Sequence, residues 1–224
     1  MTATQSRSQI NSILRRLERA FGPVEPPEQL AVLDELVATI LSQNTTDSNS
    51  GAAFEELRRR FRDWGDVRRA SVELVAEAIR VAGLANQKAP RIKEILQRLH
   101  DERGELSLEF LHDWPLDAAC EYLRRFPGVG PKTAACVLLF ACRKPILPVD
   151  THVHRVSQRL GLIGTKTNEA NAHAELARLV PSDRVLEFHI QLIRHGRQVC
   201  SARSPRCCDC VLLKRCATGM QKLS

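Results

Sequence analysis

The chain has 224 residues, 43% of them hydrophobic and 26% charged, and a formal net charge of +7. That length supports one large domain or two small ones with a real core, and the balance is that of a globular chain whose positive excess favours a polyanionic partner. The longest uninterrupted apolar run is nine residues, 134–142; a membrane-spanning helix needs roughly 20, so no membrane segment is expected.

Along the chain the hydrophobic period is helical almost throughout. The N-terminal stretch is rich in Ser and Arg, a trait of organellar transit peptides. Its Ile10, Ile13, Leu14, Leu17 and Phe21 recur at helical spacing, and an ordinary amphipathic helix is the preferred reading. Residues 28–43, 50–61, 71–82, 87–100, 116–125, 131–142, 149–162, 168–180 and 183–196 each place apolar residues three and four apart. Punctuation separates them: Thr46 and Asp47 can cap a helix, Gly83 ends one, and Pro115 and Pro181 each start one. No segment alternates like a strand. The pattern predicts an all-α protein of roughly ten helices.

The C-terminal end is both basic and cysteine-rich. From Gln191 onward there are seven Lys or Arg residues against one acid, Asp209. Of eight cysteines, Cys120, Cys136 and Cys142 lie in apolar helical context and read as small buried hydrophobes. The other five crowd into residues 200–216. With no export signal in the sequence, such crowding suggests metal rather than disulfides. Cys200, Cys207, Cys210 and Cys216 give the spacing C-x6-C-x2-C-x5-C. Structural zinc usually uses two separated knuckles; one compact run with uneven gaps suits a [4Fe–4S] cluster better. Cys208 in place of Cys207 is a possible register. The loop between the first two ligands carries Arg203 and Arg206, which would make a phosphate-contacting edge braced by the cluster.

The stretch FPGVGPKTAACVLLFAC, 126–142, joins two helical segments through PGVG, too short for anything except a tight hairpin. Gly128 and Gly130 can take positive φ and admit a close backbone, and Pro131 is a favourable first-turn residue. The unpaired N–H groups of that first turn, from Gly128, Val129 and Gly130 through Thr133, can hold a phosphate. This is the helix–hairpin–helix way of gripping a DNA backbone. Lys132 falls in the same first turn, where the helix dipole makes a structural lysine unfavourable. An amine there can act as a nucleophile and form a Schiff base; phosphate binding is the plainer alternative. In LPVDTHVHR, Asp150 is a natural N-cap. A carboxylate so fixed can also take a proton from an amine or stabilise an oxocarbenium ion.

Taken together, LRRFPGVGPKTA, PVDTHVHRV, HGRQVC and the cysteine spacing resemble the endonuclease III family, within the iron–sulfur helix–hairpin–helix DNA glycosylases. The resemblance runs from about Leu30 to Cys216. It implies two lobes with a DNA cleft between them: a six-helix barrel over 30–145, holding the hairpin motif at about 116–142, and a cluster domain of 1–29 plus 146–224. It implies catalysis by Lys132 with Asp150, a Schiff base at C1′ of a damaged nucleotide, and β-elimination of the strand. The target base must leave the stack, and the positions whose side chains fill its void are Asn44, from LVATILSQNTTD, and Leu84, from GLANQKA. The family commonly has glutamine at the first position, so Gln43 in a shifted register is an alternative. It often has an aromatic residue after the second, where Ala85 stands here.

The function expected is a bifunctional DNA glycosylase and abasic-site lyase of base excision repair, acting on oxidised pyrimidines. Its partner would be double-stranded DNA carrying a damaged base or abasic site, its cofactor a [4Fe–4S] cluster, its state a monomer and its place the cytoplasm or nucleoid. Three other readings stand beside it: a lesion-binding or weakly active hairpin protein, a glycosylase of different base preference, and an iron–sulfur electron carrier.

Overall fold

The computed structural model describes residues 3–223, with side chains from residue 7 to residue 221. Residues 1, 2 and 224, which the expected cluster domain includes, and the side chain of Lys222 lie outside the described residues. All regular structure among the described residues is helical, twelve α-helices and four 3-10 turns, so the chain is all-α. It divides into two compact units, Gln29–Lys144 and Met1–Glu28 with Pro145–Ser224.

The first unit holds α2 (Val32–Leu41), α3 (Asp47–Arg60), α4 (Trp64–Arg69), α5 (Val72–Ala78), α6 (Ala85–Arg103), α7 (Leu116–Arg124) and α8 (Pro131–Phe140). Side-chain oxygens of Thr46, Asp63 and Ser71 accept the backbone N–H of Asn49, Asp66 and Leu74, so α3, α4 and α5 each start on an N-cap. In α8 every residue from Thr133 to Leu139 is buried, as expected of a helix apolar on all sides. It packs on α2, whose Leu33, Leu36, Val37 and Ile40 face the core. The six helices expected from the period are present. The seventh, α4, is six residues long, too short for a 3.6-residue period to register.

Lysines close several helix ends in this unit. Lys93 Nζ donates to the carbonyls of Arg68 and Ala70 at the C-terminal end of α4, and Lys144 Nζ to those of His112 and Trp114 at 2.9 and 2.8 Å. Each satisfies acceptors that a helix terminus leaves open. The aromatic residues Phe110, Trp114, Tyr122 and Phe126 stack on one another around α7, with ring centroids 5.1–5.5 Å apart. They pack against one another.

The second unit holds α1 (Ala3–Phe21), α9 (Thr151–Arg159), α10 (Glu169–Leu179), α11 (Val185–Gln198) and α12 (Ala217–Leu223). The apolar stripe of α1 is wholly buried at Ile10, Ile13, Leu14 and Leu17 and packs on α11 and α10. The N-terminal segment is therefore an integral helix of this unit. Gln191 Nε2 donates to Gly22 O at 2.8 Å and holds the end of α1 against α11. Among the described residues no helix is long and apolar enough to cross a membrane.

Candidate functional site

In the first unit the hairpin between α7 and α8 is closed by short-range contacts. Val129 is buried, and its N–H donates to Phe126 O at 3.2 Å; what Val129 can offer a ligand is the shape of the turn. Gly128 has φ +75, and a Cβ there would meet Arg91 Cδ at 2.9 Å, so this glycine is required. Gly130 differs from expectation. Its φ is −89, extended backbone that any residue adopts, and an added Cβ would meet nothing within 4 Å. One glycine turns the chain, and the next serves as the N-cap position of α8. That N-terminus has no side-chain cap, so first-turn N–H groups remain for an outside acceptor. Lys132, half-buried, and Thr133, buried, stand in this turn. Gln43 Nε2 donates to Gly128 O at 3.2 Å and to Thr133 Oγ1 at 3.3 Å, tying the end of α2 to the hairpin.

Gln43 is thus engaged inward, while its neighbour Asn44 is exposed with φ +54. Two more non-glycine residues have positive φ, Arg143 at +53 and Leu84 at +51, and Leu84 is 46% exposed. Asparagine tolerates the left-handed region; leucine there costs on the order of 1 kcal/mol. A large apolar side chain held in strained backbone and left in solvent is a signature of function, not of packing.

The sequence reading missed two charged residues in this unit. Glu35, half-buried on α2, has its carboxyl pushed up to about 7 by burial, against the pull of a Thr39 hydrogen bond at 3.1 Å and the positive charges of Lys132 and Arg143. It is a buried acid within electrostatic reach of the expected nucleophile. Lys88 on α6 is only 1% exposed. Its place four residues before Ile92, on the buried stripe of α6, was the available signal.

In the second unit Asp150 is the N-cap of α9, its Oδ1 accepting the Val153 N–H at 2.7 Å. Further along the same helix, two arginines four residues apart turn toward the cysteine segment. Arg155 donates to Cys200 O at 3.1 Å and Gly196 O at 3.0 Å. Arg159 donates to Cys200 Sγ at 3.1 Å, Ser201 O at 2.7 Å and Ala202 O at 2.8 Å. Neither was anticipated; their i, i+4 spacing beside THVHR was the only hint. Arg203 is exposed. Arg206, also exposed, donates to Gln198 O.

Cys200, Cys207, Cys210 and Cys216 line one cavity, together with Arg159, His195 and Leu212. Cys208 is exposed and lies outside that lining. Burial pushes the Cys210 and Cys216 thiols up, and the neighbouring thiols push the same way. The backbone N–H of Gly219 donates to Cys216 Sγ at 3.3 Å, and His195 Nδ1 is buried with no hydrogen-bond partner. Among the described residues no three His, Cys, Asp or Glu are grouped so as to hold a metal ion. The four thiols ring a space instead of converging on a point. That donor set and those N–H···S contacts fit a polynuclear group better than a single ion.

The sites are therefore divided. Asn44, Leu84, Lys132 and the hairpin belong to the first unit; Asp150, the four cysteines, Arg203 and Arg206 belong to the second. Comparison with known proteins bears on the family of the chain. Residues 37–182 match the HhH-GPD superfamily of base excision DNA repair proteins. A putative DNA glycosylase of Arabidopsis thaliana is 41% identical over 174 residues, 78% of this chain and 59% of that protein. Endonuclease III of Thermotoga maritima is 36% identical over 181 residues, 81% of this chain and 80% of that one. A trapped endonuclease III–DNA covalent intermediate superposes with a TM-score of 0.82 at 29% identity, covering 100% of both chains.

Proposed function

The chain belongs to the HhH-GPD superfamily of base excision DNA repair proteins, in the endonuclease III family of DNA glycosylases and AP lyases, and on that premise we propose that Lys132 and Asp150 carry its chemistry on oxidised pyrimidines in duplex DNA. The observation that carries this reading is Lys132 in the uncapped first turn of a helix otherwise buried on every side. An amine there has no structural task to explain it. The Lys132 amine attacks C1′ as the bond to the damaged base breaks, and the resulting C1′–N bond becomes a Schiff base as the sugar opens. Loss of a C2′ proton then expels the 3′ oxygen. Asp150, its position fixed by the Val153 N–H, accepts the ammonium proton and offsets positive charge at C1′.

The remaining roles follow the backbone and the charges. Gly128, Gly130 and Thr133 grip phosphate through the hairpin and the first turn of α8, and buried Val129 holds the shape of that turn. Asn44 and Leu84 fill the gap left by the extruded base. Residues 30–145 form the barrel domain with the hairpin motif at 116–142, and residues 1–29 with 146–224 form the cluster domain. Cys200, Cys207, Cys210 and Cys216 hold a [4Fe–4S] cluster, which supplies rigid support to the loop presenting Arg203 and Arg206. The protein acts as a monomer in the cytoplasm or nucleoid.

Borohydride tests the mechanism, because it reduces a Schiff base to a stable amine. A duplex with one abasic site should give a covalent protein–DNA band with the wild type. Lys132→Ala should lose the band and at least 1000-fold in strand cleavage, on the order expected for loss of a covalent nucleophile, while still binding DNA. Strand cleavage by Lys132→Ala at the wild-type rate would overturn the assignment.

A further inference from the structure

Among the described residues Lys88 is one of the largest fully buried side chains, and it carries an amine. Its Nζ donates to Leu41 O at 2.7 Å and to Ala82 O at 2.9 Å. Those two carbonyls belong to different segments. Leu41 is the last residue of α2 and leads within three residues to Asn44; Ala82 stands two residues before Leu84. The backbone N–H of Lys88 donates in turn to Leu84 O at 3.0 Å. One residue therefore holds Gly83 and Leu84 from both sides and reaches across to the end of α2.

Two other lysines of the same unit, Lys93 and Lys144, show what an ordinary helix-closing lysine does. Lys93 and Lys144 each bond carbonyls of a single segment, Arg68 with Ala70 and His112 with Trp114. Lys88 alone of the three joins two segments. Each of those two segments ends in a non-glycine residue at positive φ, Asn44 and Leu84. Strained backbone persists only where its surroundings over-determine it. A buried ammonium is costly unless its donors are used, and its cost falls hardest on any arrangement that withdraws a carbonyl.

We propose that Lys88 is a positioning residue for base extrusion, a clamp that sets the backbone of the Asn44 and Leu84 loops relative to each other, so that both side chains enter the DNA stack as one unit. The proposal rests on the reading of Asn44 and Leu84 as void-filling residues. Lys88 touches neither substrate nor Lys132; it acts by holding the two loops. The specific consequence is a split between the steps of the reaction. Excision of a stacked base needs the loops to fill a void, whereas cleavage at a preformed abasic site has no base to extrude.

The test uses the full chain and two duplexes, one containing thymine glycol and one a preformed abasic site, under single turnover. Lys88→Met should slow excision at least tenfold more than it slows abasic-site cleavage. It should also weaken the fluorescence rise of 2-aminopurine placed opposite the lesion. Hydrogen exchange without DNA should speed up together at amides 42–46 and 82–86. Lys88→Gln, which keeps two N–H donors, should recover part of each loss. It carries the same comparison if Lys88→Met does not fold. Equal slowing of both steps, or faster exchange in only one loop, overturns the clamp. Asn44→Ala and Leu84→Ala are run in parallel. If they slow excision and the Lys88 variants do not, the clamp alone falls; if they too leave excision unchanged, the void-filling reading falls and takes the clamp with it.

Discussion

The hairpin at 126–130 and the cysteine segment at 199–216 are both irregular stretches between helices, and they are held in opposite ways. The hairpin closes on itself. Val129 is buried, its N–H is bonded to Phe126 O, and the helix that follows lies in the core. The cysteine segment has little to bury. Its only regular structure before α12 is a three-residue 3-10 turn, its carbonyls are taken by arginines of α9, and its centre is a cavity ringed by thiols. Apolar burial supplies order to the first, while charged side chains, together with the proposed cluster, supply it to the second.

The largest expected effect breaks the comparison outright. Cys210→Ser removes one corner of the proposed cluster. Amide protection should be lost across 199–216 and DNA affinity should fall at least tenfold, with hairpin protection unchanged. Hydrogen exchange and salt-dependent binding read both. If the segment stays protected without the cluster, the two regions are held alike after all.

The hairpin side has its own weak point, and it depends on pH. Burial pushes the folded Glu35 carboxyl up to about 7 from its ordinary 4.5. A raised value means the folded state favours the proton, so this group's contribution to stability is full below about 4.5 and is lost as pH rises through 7. Glu35→Gln should match the wild type in acid and exceed it by up to about 3 kcal/mol above pH 7. Denaturant unfolding at two pH values checks this, and an equal difference at both would remove Glu35 as the cause.

Arg159→Ala sharpens the other side. It strips charged donors from Cys200 Sγ, Ser201 O and Ala202 O and should cost about 2 kcal/mol, concentrated in the cysteine segment. Thermal unfolding followed by cluster absorbance would show it; loss of helix signal before loss of cluster would contradict it. The smallest effect separates two glycines in one turn. Gly128→Ala should cost about 1–2 kcal/mol, because its φ is positive and Arg91 stands in the way. Gly130→Ala should lie within about 0.5 kcal/mol of neutral. Equal melting temperatures for the pair would mean that the turn is more plastic than its contacts imply.

Much of the molecule was legible in the order of its residues. Helical period, caps and the proline breaks located nearly every long helix, because these are properties of a few consecutive residues. The hairpin, Lys132, the Asp150 cap and the uneven cysteine spacing were readable for the same reason. α4 was not, being only six residues long, nor was α12, whose seven residues follow directly on the last cysteine. Gly130 was expected to turn the chain as Gly128 does. Which of two neighbouring glycines takes positive φ is settled by what packs around them, here Arg91 and Gln43.

The sequence by itself determined the all-α class, the family and the residue types that chemistry and metal binding demand, since each is written in local spacing. Only the tertiary structure decided which charges are buried and what they hold: Glu35 beneath the hairpin helix, Lys88 between two loops, Arg155 and Arg159 over the cysteine segment. A charge survives burial only where remote carbonyls or opposite charges meet it. Those partners come from segments far apart in the chain, whose meeting no local pattern records.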